Sequence, residues 1–229
     1  MNCIILAAGY GTRLGNLTKN TPKCLLKIKG ETLLLNWIKK LEKLNIKNII
    51  INTHYLHDKV YEFIKNLESP INITLSYEKN LLGTAHTLKK NLKYLLNDEC
   101  LFLHADNYTK DDLSEFIKYN NKRPASCIIT MYGFKTDDYK NSGIVITDKQ
   151  SIVTDIYEKR NIKYGAWANG AILILSKKFM NNYHNYYTKK SYDFCKDILP
   201  KLKNEIFFYK SKSELLDIGI KTNFRKLNA

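Results

Sequence analysis

The stretch Cys3-Ile4-Ile5-Leu6-Ala7-Ala8-Gly9-Tyr10-Gly11-Thr12-Arg13-Leu14 decides how this chain is read. An apolar run of strand type enters a loop with glycines at 9 and 11, and Arg13 follows at once. Glycine reaches φ > 0 without a steric penalty and lets backbone come close to a ligand. Backbone N–H groups turned into such a loop make an anion-binding concavity. Arg13, and Lys23 behind Pro22, supply countercharge. The spacing is neither G-x-G-x-x-G nor a P-loop ending in G-K-[ST]. The reading is a loop that grips the triphosphate of a nucleotide.

Working outward from that loop, strands and helices alternate. Residues 2–6 form the first apolar run, and residues 31–44 place Leu34, Trp37, Ile38, Leu41 and Leu44 at helical spacing. A strand at 48–52, a helix at 56–67, a strand at 71–77 and a helix at 84–96 follow. Next come a strand at 100–103, a helix at 111–120 and a strand at 126–131. Alternation of this kind predicts βαβ units, hence a Rossmann-like three-layer α/β fold with a mainly parallel, mixed sheet. Ligands of such sheets bind at the carboxyl ends of the strands, so the loops after the first and fourth strands are where chemistry belongs. The second half changes style. Short strands at 143–147, 152–157 and 171–175, joined by turns, read as a small β lobe for a second substrate. A helix at 193–199, a strand at 206–209 and a helix at 222–227 complete the chain.

The 229 residues suit one domain, with residues 1–131 as its nucleotide-binding half and 132–229 as its second-substrate half. A hydrophobic content of 44% supports a sizeable core. The formal net charge of +15 is spread along the chain rather than gathered into one arm or helix, which argues against nucleic acid as a partner. Five cysteines, an odd number with no C-x-x-C pair, read as reduced thiols of a cytoplasmic protein. The chain starts in a strand, leaving no room for a signal peptide, and no apolar run approaches a membrane span. Tyr183, Tyr186 and Tyr187 read as a core or dimer contact rather than a base-stacking cluster, so a homodimer is allowed. Cys24 has no histidine paired with it and takes no nucleophilic role.

Asp106 directly follows an apolar run, and so does Asp217. An aspartate at a strand end commonly caps a turn. It is also what a magnesium ion needs, since Mg²⁺ takes carboxylate oxygens together with phosphates. Sequence alone does not bring the two together.

Two spaced blocks carry a family resemblance. Leu6-Ala7-Ala8-Gly9-Tyr10-Gly11-Thr12-Arg13-Leu14, with Thr21-Pro22-Lys23 and Leu25-Leu26 downstream, resembles the signature of the sugar-1-phosphate nucleotidylyltransferases. The resemblance runs through Glu78 with Leu82-Gly83-Thr84-Ala85, Asp106-Asn107, Gly143, Glu158-Lys159, Asn169-Gly170 and Asp217. It is closest to short guanylyltransferase-type members without a β-helix domain. It implies transfer of a nucleoside monophosphate from a nucleoside triphosphate to a sugar 1-phosphate, giving a nucleotide sugar and pyrophosphate. Leu6, Ala7, Ala8, Gly9, Gly11, Thr12, Arg13, Glu78, Gly83, Thr84, Ala85 and Asp106 would bind the nucleotide. Arg13 and Lys23 would be catalytic. Lys23, Asn107, Gly143, Glu158, Lys159, Asn169 and Gly170 would bind the sugar phosphate, and Asp106 and Asp217 one Mg²⁺. The Leu-Gly-Thr-Ala run points to GTP; cytidylyl-, uridylyl- and thymidylyltransferases, including those acting on a phosphorylated non-sugar, remain alternatives, as does a nucleotide-binding module without catalysis. The chain departs from the common family pattern at His86, at His104-Ala105, and at Asn169-Gly170-Ala171, where the commoner order is Asn-x-Gly.

Overall fold

The structure is a computed structural model that describes residues 1–228. In chain order the strands and helices are β1 (Asn2–Leu6), β2 (Lys27–Ile28), β3 (Glu31–Thr32), α1 (Leu33–Lys43), β4 (Asn48–Thr53), α2 (His57–Lys65) and β5 (Asn72–Tyr77). Then come α3 (Thr84–Asn91), β6 (Cys100–His104), β7 (Asn107–Thr109), α4 (Ser114–Asn120), β8 (Ile129–Lys135) and β9 (Gly143–Thr147). The last are β10 (Val153–Glu158), β11 (Trp167–Leu175), α5 (Lys177–Asn181), β12 (Ile206–Lys210), β13 (Leu215–Asp217) and α6 (Lys221–Asn228). Two compact units share these elements: among the described residues, 1–81, 103–110 and 215–228 form one, and 82–102 and 111–214 the other.

In the first unit β1, β4 and β5 pair in parallel, with Cys3 opposite Ile49 and Ile49 opposite Ile73. Their apolar runs are buried, as parallel strands covered on both faces require. Helix α1 lays Leu33, Leu34, Trp37, Ile38 and Leu41 into the core, and the Thr32 hydroxyl caps its start by accepting from the Leu35 N–H at 3.2 Å. The Ala105 N–H donates to the Leu6 carbonyl at 3.0 Å, so the residues after β6 lie beside the end of β1. A second apolar cluster of Leu14, Leu26, Ile28, Leu33, Ile218 and Leu227 packs the residues around β13 and α6 against the segment after the glycine loop.

In the second unit β9 pairs antiparallel with β10 and β11, β11 pairs antiparallel with β8, and β8 pairs in parallel with β12. The short antiparallel strands expected of the second half are present, but in the order β10-β9-β11, so β9 rather than β10 lies beside β11; the sheet is mixed. Tyr183 is fully buried against Phe179 and Phe194, with its hydroxyl donating to the Ala85 carbonyl at 2.9 Å; it is a core residue.

Five segments differ from their sequence reading, the first being the helix read at 84–96, which is α-helical only over Thr84–Asn91 and ends in a 3₁₀ turn over Leu92–Tyr94. Helix α4 starts at Ser114, not 111, because the carboxylates of Asp111 and Asp112 accept from the Leu113 and Ser114 N–H groups and hold the chain in turns first. The 193–199 segment is a π-turn over Phe194–Ile198 followed by a 3₁₀ turn over Leu199–Leu202, since Pro200 has no N–H to continue an α-helix. Strand β8 lies at 129–135 rather than 126–131, where β11 and β12 offer it partners on both sides. Strand β11 begins at Trp167 rather than 171 and contains a bulge between Asn169 and Leu173.

The departure at Asn169-Gly170-Ala171 falls in that bulge. Ala171 sits in the left-handed region at φ +51, held by its N–H donating to Asn169 Oδ1 at 2.9 Å. The commoner family order puts glycine there, where a Cβ carries a steric cost. Ala171→Gly is therefore expected to raise unfolding stability by about 1 kcal/mol, read as a higher urea midpoint at constant slope.

Candidate active site

The loop after β1 is shaped by three restraints within the first unit. The Ala7 N–H donates to Asn52 Oδ1 at 2.7 Å, and the Thr18 hydroxyl donates to the Gly11 carbonyl at 2.9 Å. Gly11 has φ +69, and a Cβ on it would lie 2.8 Å from the Thr18 methyl, so no other residue fits without strain. Gly9 and Thr12 are exposed, Ala8 and Leu6 are buried.

Lys23 lies in a 3₁₀ turn entered through Pro22 and is only 8% exposed. Its ammonium is paired with Asp106 Oδ2 and lies 3.4 Å from Asp217 Oδ1. These contacts join residues 83 and 194 positions apart. A two-stranded ribbon makes that possible: β13 pairs antiparallel with β7, with Asp217 opposite Asn107, and the Ile218 N–H donates to the Asp106 carbonyl at 2.9 Å. Arg13 Nη2 donates to Asp217 Oδ2 at 3.3 Å from the open side. Two cations and two carboxylates thus form one cluster. Burial pushes the Asp106 carboxyl up, but the Lys23 ammonium, helped by His104, outweighs it and holds Asp106 ionised below its ordinary range. Neighbouring Cys24 is buried and its thiol is pushed up to about 12, chiefly by burial, so it is inert as a nucleophile.

Gly219, two residues after Asp217, lies against the same cluster, and the sequence reading assigned it no role. A Cβ there would run into the Lys23 ammonium, and would lie 2.7 Å from Arg13 Nη2 and 2.8 Å from Asp217 Oδ1. The Gly219 N–H donates to Asp217 Oδ1 at 2.6 Å. Gly219→Ala is expected to dislodge the Lys23 and Arg13 side chains and lower turnover at least about tenfold, with little loss of melting temperature. The signal available beforehand was only its adjacency to Asp217.

Glu78 is buried at the end of β5 and accepts from Asn52 Nδ2 at 3.0 Å. In the second unit, Gly83 has φ +82, and a Cβ there would meet the Tyr192 carbonyl at 2.5 Å. The Ala85 N–H donates to that same carbonyl at 3.0 Å, and Thr84 Oγ1 accepts from the Phe194 N–H at 2.6 Å. The Gly83–Ala85 turn is therefore locked onto the 192–194 segment. Asn107 is buried in β7, and its carbonyl accepts from the Trp37 indole at 2.9 Å.

The remaining residues gather in the second unit. Glu158 ends β10 directly opposite Gly143. A Cβ on Gly143 would collide with the Glu158 carboxylate, so the glycine makes room for that carboxylate. Burial pushes the Glu158 carboxyl up, opposed by Lys159. Lys159 has φ +49, a strained conformation for a side-chain-bearing residue, at the point where the chain leaves the strand. A Cβ on Gly143 would also lie 3.8 Å from the Asn169 Cβ, and Asn169 Nδ2 contacts Cys195 Sγ at 3.5 Å. The structure thus brings Gly143, Glu158 and Asn169 together and adds Cys195, which no sequence pattern singled out.

A glycine loop at the end of a parallel strand, beside a Lys–Asp–Asp–Arg cluster, marks the candidate site of an α/β protein. Comparison with known proteins gives the class a name. Residues 2–229 match the family described as nucleotidyl transferase, and the chain belongs to that family and is a nucleotidyltransferase. The D-glycero-alpha-D-manno-heptose 1-phosphate guanylyltransferase of Campylobacter jejuni is 30% identical over 224 residues, covering 98% of this chain and 97% of the relative. A relative from Sulfolobus acidocaldarius, named for mannose-1-phosphate guanyltransferase, is 28% identical over 232 residues, and this chain spans 62% of its length. Among solved structures, HddC from Yersinia pseudotuberculosis has a TM-score of 0.81 at 27% identity, covering 99% of this chain and 97% of that one. The same protein has also been solved in complex with GMP-PN. The fold likeness extends to a Bacillus anthracis chain at 20% identity with a TM-score of 0.85, covering 100% of this chain and 94% of that one. The Rossmann-like fold class is that expected from the alternation of elements. Among the described residues no helix is long and apolar enough to cross a membrane.

Proposed function

We propose that this protein transfers a guanylyl group from GTP to a sugar 1-phosphate, with release of pyrophosphate. The observation that carries the reading is the Lys23 ammonium held between Asp106 and Asp217, with Arg13 on the same carboxylate, at the end of the glycine loop. The guanine base and a mannose- or heptose-type sugar are supported by the names of the relatives. A phosphate oxygen of the sugar phosphate attacks the α-phosphorus of GTP, the bond from that phosphorus to the bridging oxygen of the leaving group breaks, and pyrophosphate departs with the electron pair. The nucleophile is already an anion near neutral pH, so no general base is needed and the protein's task is positioning and charge neutralisation. Loop amides at Gly11 and Thr12, with the Arg13 guanidinium, hold the β- and γ-phosphates. Lys23 holds the reacting phosphates together. In the second unit Glu158 and Asn169 accept and donate hydrogen bonds to sugar hydroxyls, and Lys159 meets the sugar's phosphate.

The donor set fits a divalent cation. Asp106 and Asp217 present oxygens to a single cationic centre, the Lys23 ammonium, and Mg²⁺ is typically held by one or two carboxylates plus phosphates and waters. Among the described residues no group of three or more His, Cys, Asp or Glu gathers, so protein ligands from this chain are limited to this pair of carboxylates. When bound, the ion supplies charge neutralisation to the triphosphate.

The test is a matrix of the four nucleoside triphosphates against mannose, glucose, galactose and heptose 1-phosphates, read as pyrophosphate release. GTP with a manno-configured sugar phosphate is expected to lead. Release with a different base alone would replace the guanylyl assignment, and no release with any pair would remove the transferase reading.

A further inference from the structure

The carboxyl end of β4 carries two side chains that each bridge the phosphate loop to the segment at Glu78. Asn52 is the first, accepting from the Ala7 N–H and donating to Glu78 Oε1. His54 is the second. Its Nδ1 lies 2.8 Å from the Glu78 carbonyl oxygen, which can only accept, so Nδ1 carries the proton. Nε2 of the neutral ring is then an acceptor, and the Tyr10 hydroxyl donates to it at 2.7 Å. The Tyr10 ring stands edge-on to His54 with centroids 5.2 Å apart and leans on Tyr55 at 5.6 Å. Tyr55 in turn donates its hydroxyl to the carbonyls of Thr18 and Lys19, on the far side of the loop.

Tyr10 lies between the two glycines and is 46% exposed. Its neighbour Gly9 has no atom within 4 Å of where a Cβ would be, so Gly9 itself faces open space. The Tyr10 side chain restrains this part of the loop, through its hydrogen bond to His54 and its ring contacts with His54 and Tyr55. Because the other nitrogen of the same imidazole holds the Glu78 carbonyl, the ring can shift only by moving both segments.

We propose that Tyr10 and His54 are positioning residues that couple the segment at Glu78, which the family resemblance assigns to the nucleotide, to the geometry of the glycine loop, and so set nucleotide selectivity. The proposal rests on the nucleotide reading given above. A base that fits leaves the Glu78 backbone in place and the loop in register for the phosphates. A base that does not fit shifts that backbone and, through His54 and Tyr10, the loop.

Two substitutions separate the ends of the bridge. Tyr10→Phe removes one hydroxyl from a half-exposed side chain. His54→Asn keeps a donor near the position of Nδ1 while removing the acceptor for Tyr10. Each is expected to raise KM for the preferred nucleotide about 3- to 10-fold, the worth of one hydrogen bond, and to shrink the kcat/KM ratio between preferred and other nucleotides by a similar factor. KM for the sugar phosphate stays unchanged, and the double variant is no worse than either single one, since both break the same link. Equal losses for all four nucleotides, additive losses, or unchanged KM and selectivity would each overturn the coupling. Calorimetric titration of the wild-type protein with each nucleotide keeps the two readings apart. If nucleotides bind without turnover, the transferase reading fails, and the same selectivity ratio is read from the dissociation constants. If none binds, the coupling fails with the nucleotide site.

Discussion

Lys23→Ala lowers turnover by about 10²–10³-fold, the scale seen when one charged or hydrogen-bonding group that stabilises developing charge is removed. Far-ultraviolet circular dichroism remains that of the wild type, because Lys23 occupies a turn rather than a helix or strand of the core. The substitution also leaves Asp106 and Asp217 facing each other without the ammonium that both now share. Breaking a fully buried pair costs about 3–5 kcal/mol; these carboxylates are partly open to water, so the expected cost is smaller, about 1–2 kcal/mol. That cost gives a signature independent of turnover. Added Mg²⁺ raises the melting temperature of Lys23→Ala more than that of the wild type, because the ion no longer competes with an ammonium for the two carboxylates. Near-normal turnover in this variant, or a melting temperature indifferent to Mg²⁺, would remove Lys23 from its assigned place.

The second large effect is expected from Asp106→Asn. The replacement keeps the shape of the side chain and removes its charge. In the wild type the Lys23 ammonium keeps Asp106 ionised against the pull of burial, so a full negative charge is present throughout the neutral range. Its loss leaves one carboxylate, Asp217, which is 36% exposed and already shared with Arg13. Turnover is expected to fall by about two orders of magnitude or more, and the Mg²⁺ concentration for half-maximal rate to rise at least about tenfold. Asp217→Asn should follow the same pattern with a smaller shift, since Asp106 keeps its ion pair with Lys23. An unchanged Mg²⁺ curve in Asp106→Asn would place the ion elsewhere.

Much of this molecule was legible in its sequence, for reasons that differ from element to element. The apolar run at Cys3–Leu6 and the glycines after it are local signals: buried parallel strands need unbroken apolar residues, and a tight anion loop needs φ > 0 at Gly11. The same holds for α1, whose apolar residues recur at helical spacing behind a Thr32 cap. Local signals failed where a tertiary partner decides the outcome. The start of α4 depends on which backbone groups the Asp111 and Asp112 carboxylates accept from, and the bounds of β8 depend on β11 and β12 lying beside it. Gly219 was legible only as part of a motif, because nothing near it in sequence records that Lys23 and Arg13 need the space over its Cα.

By itself, then, the sequence determined the α/β class, the glycine loop, and the residue types able to hold phosphate and metal, since these depend on periodicity and on chemistry carried by short stretches. Only the tertiary structure decided that Lys23, Asp106 and Asp217 form one centre. Their meeting rests on the pairing of β13 with β7 and on the apolar cluster that packs the residues around β13 against the segment after the glycine loop. It likewise decided that Tyr10 reaches His54, that Ala171 takes a left-handed conformation, and that Gly143 yields its space to Glu158. Contacts between residues far apart along the chain are bought with loop-closure entropy and repaid by burial of the whole core, so no short stretch records them.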